Sequence, residues 1–339
     1  MRTRLALLSA LLAFSVLPVR AGDKPAPLVD RSDLPGEAGA ALGTHGVRVF
    51  RDRATWTAFQ ERLVALGWTG TLKPEFATLN FETHIIACVF RRGASTDQMT
   101  WRAGDQGAEE SRIEVGVSTI IQKAGLHVES TQFVFVGMAR SARLRVSAHL
   151  WYRAAAQEPD TPEEAEKQWE VVLAGDEGDQ VGQLRGAITA EQGTVKPGED
   201  IRLKFSLAFG PEVAPDDSRF ARPANAVHVW DGKYSKGYRN HAFLVTLPDG
   251  TTRRLRPAVR EEWDKNIPHL VEISKDRGYT LPEWREGESL KSLQALGLDT
   301  TRPGTYRITG IYAEKGEASD GARAWGGELM TNSVLVEVK

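Results

Sequence analysis

Apolar and polar positions alternate along much of this chain, and the period of that alternation separates its elements. Ile201, Leu203, Phe205, Leu207 and Phe209 alternate with Arg202, Lys204, Ser206 and Ala208, directly after Pro197-Gly198-Glu199. A period of two predicts a strand with one face in a core. Leu144, Val146, Ala148 and Leu150 alternate in the same way with Arg145, Ser147 and His149. Trp56, Phe59, Leu63 and Leu66 recur instead at helical spacing, and Gly67 supplies the stop. Further strand-like runs lie at 47–50, 76–81, 84–90, 98–102, 112–117, 133–136 and 168–173. In the second half they lie at 226–230, 242–247, 251–255, 305–312 and 333–338, with Asp249-Gly250 turning a hairpin between the second and third of these. Tyr306, Ile308 and Tyr312, then Val334, Val336 and Val338, are the expected inward sets of the last two.

The expected fold is mainly β: an α+β domain at 44–175, an antiparallel sheet with one helix, followed by an antiparallel β-sandwich at 184–339. Residues 22–43 are rich in Ala, Gly, Pro and Asp and read as a flexible lead-in. Residues 176–183, a Gly/Asp/Glu/Gln segment, read as a linker. Thr161, Pro162 and Glu164 form a helix-start signal just before it. The span 257–300 is too long for an ordinary sandwich connection. It carries Trp263, Tyr279, Trp284 and a helix-like run at 289–296 with Leu290, Leu293 and Leu296 on one face. Such an insertion is either a lid over an edge strand or a platform for a partner.

The first 21 residues set the compartment. Arg2 and Arg4 precede an apolar stretch from 5 to 17, and Val19-Arg20-Ala21 ends in the small-residue pattern of a cleavage site. This is a signal peptide, so the mature chain is expected to begin at Gly22, exported to the periplasm or beyond, with no membrane span. The formal net charge of −2 becomes more negative when three leader arginines are removed, which argues against a nucleic-acid partner. Cys88 is the single cysteine, so no intrachain disulfide staples either half, and within 84–90 it reads as a small buried hydrophobe.

No nucleophile elbow, zinc-binding helix, paired-cysteine, P-loop or dinucleotide motif occurs. His228 and His241, with Asp231, would be a metal-site candidate if the strands at 226–230 and 242–247 were neighbours; the plain alternative is two edge histidines. Asp216-Asp217 and Glu261-Glu262 read as solvated charge. The loop 230–240 interleaves Trp230, Tyr234 and Tyr238 with Lys233, Lys236 and Arg239. It is a candidate contact surface for a protein, a glycan or an anionic polymer, or else a hairpin whose aromatics fold back over the core edge.

Two resemblances bear on this reading. The run from Leu298 to Ile308 resembles the tyrosine corner of immunoglobulin-like sandwiches, lengthened by inserted residues. The resemblance implies that Tyr306, two residues after Gly304, bonds back to the backbone, and Ile308 stands where antibody domains have a cysteine. The first block, through Thr55-Trp56-Thr57-Ala58-Phe59 and the stretch from Leu79 to Phe90, resembles the C-terminal-like domain of the stability subunit of a bacterial surface protease complex. It departs from that family in Arg91-Arg92-Gly93-Ala94-Ser95, where a Gly-Gly turn would follow. This second resemblance implies a non-catalytic partner of an exported protein. The expectation is therefore an exported binding or scaffolding protein without cofactor or metal, engaging another exported protein or a cell-envelope polysaccharide. The alternatives are a carbohydrate-binding protein using Trp230, Tyr234 and Tyr238 as a stacking platform, and a hydrolase whose residues converge only in the fold.

Overall fold

The computed structural model describes residues 27–94, 98–120, 129–153, 166–210, 225–233, 235–258, 269–282, 290–319 and 322–339. The leader, the helix-start signal at 161–164, Tyr234, Trp263, Trp284 and both acidic pairs lie outside them. The first half forms β1 (Leu28–Pro35), β2 (His45–Phe50), β3 (His84–Ala94), β4 (Gln98–Asp105), β5 (Ser111–Ile120), β6 (Glu129–Ala139), β7 (Arg143–Arg153) and β8 (Glu166–Ala174), with helices α1 (Arg53–Ala65) and α2 (Glu75–Thr78). There follow β9 (Gln180–Val181), β10 (Leu184–Ala190), β11 (Thr194–Val195), β12 (Arg202–Phe209), β13 (Ala226–Trp230), helix α3 (Ser235–Tyr238), β14 (His241–Thr246) and β15 (Thr252–Leu255). The last strands are β16 (Leu270–Ser274), β17 (Tyr279–Thr280), β18 (Leu290–Ser292), β19 (Gly304–Lys315), β20 (Ala318–Ser319), β21 (Ala322–Arg323) and β22 (Gly326–Val338).

The molecule is mainly β, built of several largely antiparallel sheets. One sheet runs through both halves in the order β1-β6-β3-β2-β9-β10-β12-β17, with β18 also on β12. A second has the order β4-β5-β7-β8 and a third β11-β22-β19-β14-β15. The central strands of the long sheet serve two cores. Val47, Val49, Ile85, Ala87, Val89, Val134 and Val136 pack against Ile113, Val115, Val146 and Val171 of the second sheet. Their alternates Phe50, Cys88, Phe90, Phe133 and Phe135 pack against Trp56, Phe59 and Leu63 of α1. A strand buried on both faces shows no polar alternation, which is why 84–90 reads as an unbroken apolar run. Asp52 caps α1 by accepting from Thr55 N at 2.8 Å. In the second half, Phe205 of β12 lies 6.0 Å from Phe243 of β14 and 6.4 Å from Tyr312 of β19, ring to ring. A Cβ at Gly310 would fall 2.5 Å from that Phe205 ring, so this close approach of sheets requires glycine.

Four local expectations change. The lead-in is ordered from residue 27 on: β1 pairs with β6 along its whole length, and Leu34 and Leu42 are buried. Residues 76–81 give α2 and a turn anchored by buried Phe76, not a strand. Leu290–Ser292 pairs with β12 as a strand where helical spacing of leucines was expected. β17 and β18 from the long insertion thereby cover the edge of β12.

The fourth change falls on 176–183, expected as a linker. This segment supplies β9, which joins β2 to β10, and its Asp179 is 1% exposed. The Asp179 carboxylate accepts from Val49 N at 3.1 Å, Met330 N at 2.8 Å and Arg48 Nη1 at 3.1 Å. Arg48, fully buried, also donates to the Glu328 carbonyl at 2.5 Å and lies over the rings of Phe59 and Phe90. Burial pushes the Asp179 carboxyl up, and Arg48 with the two backbone donors pulls it back. One buried ion pair thus ties β2, β9 and β22, drawn from both halves of the chain.

Candidate functional site

The loop 230–240 is built largely inward. Trp230 is 4% exposed, its ring packed into the fold, and Tyr238 is half-buried with Lys291 Nζ 5.9 Å from its ring centre. Lys233 and Arg239 are exposed. With the Trp230 indole buried, the loop offers these two cations rather than that ring to solvent. The loop's ends are held by Glu314, whose Oε1 accepts from Trp230 N at 2.7 Å and Asn240 Nδ2 at 2.9 Å. Tyr279 donates to Asp231 Oδ1 at 2.7 Å, and His269 Nε2 lies 3.0 Å from Asp231 Oδ2. Burial is the main cause that raises the Glu314 pKa to about 8, so this acid is largely neutral at neutral pH.

His228 and His241 do not meet. β13 pairs with β16, whereas β14 lies between β15 and β19. His228 faces Glu272 at 3.9 Å, and His241 is buried and held neutral, its pKa lowered to about 3 by burial. Among the described residues no group of three or more His, Cys, Asp or Glu is placed to hold a metal ion. Cys88 is fully buried, and burial pushes its thiol far above the reactive range. Tyr306 donates to the Arg302 carbonyl at 2.9 Å, closing the corner, and a Cβ at Gly304 (φ 131°) would meet Pro248 at 2.6 Å.

One charged groove was not singled out by the sequence. Alternation along the third sheet turns Phe243, Val245, Tyr306, Ile308 and Tyr312 into the core and leaves Leu244, Thr246, Arg307, Ile311 and Met330 on the other face. That face is the floor of a groove walled on one side by α1, through Thr57, Ala58, Glu61 and Arg62. Two cavities of about 710 and 840 Å³ share Arg62, Arg254, Arg256, Ile311 and Glu328 and form its two ends. Arg307 lines the first and Arg239 the second.

Three of the five acids that line this groove are engaged: Asp52 caps α1, Glu328 is buried and paired with Arg62 at 3.1 Å, and Glu314 holds the 230–240 loop; Glu61 and Glu317 line it as well. Arg239, Arg254, Arg256 and Arg307, by contrast, make no hydrogen bond or ion pair among the described residues. Burial lowers the Arg254 pKa; Glu328 opposes that, and Arg256 and Arg62 add to it. Four arginines without ion-pair partners, over an apolar floor of Leu244, Ile311 and Met330, make a surface suited to carboxylate or other anionic groups. The local signal was Arg253-Arg254-Leu255-Arg256 after the Asp-Gly turn; Arg62, Arg239 and Arg307 join it only through the fold. Among the described residues no helix is long and apolar enough to cross a membrane. No family model, no curated protein and no solved structure matches this chain.

Proposed function

We propose that this is an exported, non-catalytic binding protein that engages an acidic stretch of another exported protein through the groove between α1 and the third sheet. The observation that carries the reading is the convergence of Arg239, Arg254, Arg256 and Arg307, without partners among the described residues, on one apolar-floored groove. Guanidinium forks match carboxylates bidentately. The leader-like segment at 1–21 supports export. The immunoglobulin-like and stability-subunit resemblances agree with a binding role, since such architectures hold partners as readily as they hold active sites.

The test is capture by the mature chain, Gly22 to Lys339, from its own envelope and secreted fractions, with polyglutamate as a defined acidic probe. Polyglutamate is expected to bind and to weaken steeply between low and physiological salt. Capture of one exported protein, lost together with polyglutamate binding in Arg254→Glu/Arg256→Glu, supports the reading. Capture that the double variant leaves unchanged overturns it, and capture of polysaccharide alone transfers the role to glycan binding.

A further inference from the structure

The position of β15 in its sheet suggests how such a segment would be held. β15 ends the order β11-β22-β19-β14-β15, and among the described residues no strand pairs with its outer edge. The hairpin closes with Leu247 N donating to Thr251 O at 2.8 Å and Gly250 N donating to Leu247 O at 2.9 Å, with Gly250 at φ 83°. Antiparallel ladders alternate hydrogen-bonded and open pairs. Counting from Leu247–Thr251, the pair Thr246–Thr252 is open, Val245–Arg253 is bonded, and Leu244–Arg254 is open. The backbone N–H and C=O groups of Thr252 and Arg254 therefore point away from β14, toward the unoccupied edge. Both residues are exposed, and the same two side chains stand on the groove face.

Resting on the binding reading above, we propose that the acidic partner segment binds in extended form as an added strand on β15. Its backbone pairs with Thr252 and Arg254, and its carboxylates on the groove face meet Arg254 and Arg256. Strand addition draws affinity from main-chain hydrogen bonds and specificity from alternate side chains. The charge of this edge selects the occupant. Arg253 and Arg254 would set two copies of β15 against each other as like charges, which blunts self-pairing, while the same residues attract a strand carrying Asp or Glu. A strand alternating acid and aliphatic residues puts its acids on the groove face beside Arg254 and Arg256 and its aliphatic residues on the opposite face, where Leu255 stands across from Phe243.

The probe is a peptide alternating Glu and Val, titrated into the mature chain with amide exchange resolved at single residues. Saturation is expected to slow exchange of the Thr252 and Arg254 amides at least tenfold, with the Arg253 amide, already in the ladder, changing little. Thr252→Pro is expected to weaken the peptide at least tenfold, because proline there removes an outward donor and no ladder bond. If the variant does not fold, the exchange pattern of the unmodified chain decides. Peptide binding with unchanged exchange at Thr252 and Arg254 overturns strand addition and leaves the groove reading standing. Absence of binding by both peptide and polyglutamate overturns both.

Discussion

Arginine has opposite roles at two places in this molecule. At the seam, Arg48 is fully buried, paired with Asp179, bonded to carbonyls and enclosed by Phe59 and Phe90. In the groove, Arg254 and Arg256 are exposed and make no hydrogen bond or ion pair among the described residues, although Arg254 feels the charge of Glu328. A buried charge must be satisfied inside the fold, since leaving it alone costs several kcal/mol, so it fixes architecture. An exposed charge contributes little to stability and stays available to an external anion. The comparison separates charge that holds the chain together from charge that is free to recognise.

The largest effect is expected at the seam. Asp179→Ala leaves Arg48 buried and unpaired and should destabilise the protein by about 3–5 kcal/mol in urea titration. Replacing both, as Arg48→Met with Asp179→Leu, should recover much of that loss; an equally severe double variant would mean that the backbone bonds to Asp179, not the charge pair, hold the seam.

Glu314 sharpens the comparison, being a buried acid without a basic partner. Its pKa is raised by burial to about 8 against an ordinary 4.5, so the folded chain holds a proton that the unfolded chain releases. Its contribution is full below about 4.5 and declines as pH rises toward 8. Denaturation at a series of pH values should show this slope, and Glu314→Gln should flatten it by roughly 3–5 kcal/mol across the window. His241 acts with the opposite sign: its lowered pKa means that stability is lost as pH falls from 6.5 toward 3. An unchanged slope in the Gln variant would place the titration elsewhere.

Tyr306→Phe removes one hydroxyl bonded to the Arg302 carbonyl and should cost about 1 kcal/mol, visible as a modest fall in Tm. Arg254→Glu/Arg256→Glu should change stability least, by about 0.5 kcal/mol or less, because neither side chain makes a hydrogen bond or ion pair among the described residues.

The strands with one polar face were legible from the sequence. Those of β12 and β7 follow their alternation, and Trp56, Phe59 and Leu63 take the helix face their spacing implies. Residues 176–183 were not, because a Gly/Asp/Glu/Gln composition is loop-like locally and only the distant Arg48 and Met330 make Asp179 a core residue. Leu290, Leu293 and Leu296 repeat at helical spacing, yet pairing with β12 claims Leu290–Ser292. In the 230–240 loop, interleaved aromatics and cations suggested a platform, but the core takes the Trp230 ring and leaves Lys233 and Arg239 outside. The groove was legible only as the arginines of β15 and the residue after it, since its other residues come from α1, the 230–240 loop and β19.

The most direct test of the division between seam and groove measures unfolding and polyglutamate binding on the same preparation of Arg254→Glu/Arg256→Glu. The account predicts an unfolding curve superimposable on that of the unmodified chain together with complete loss of binding. A destabilised variant, or one that binds as before, would contradict the assignment of these arginines to recognition.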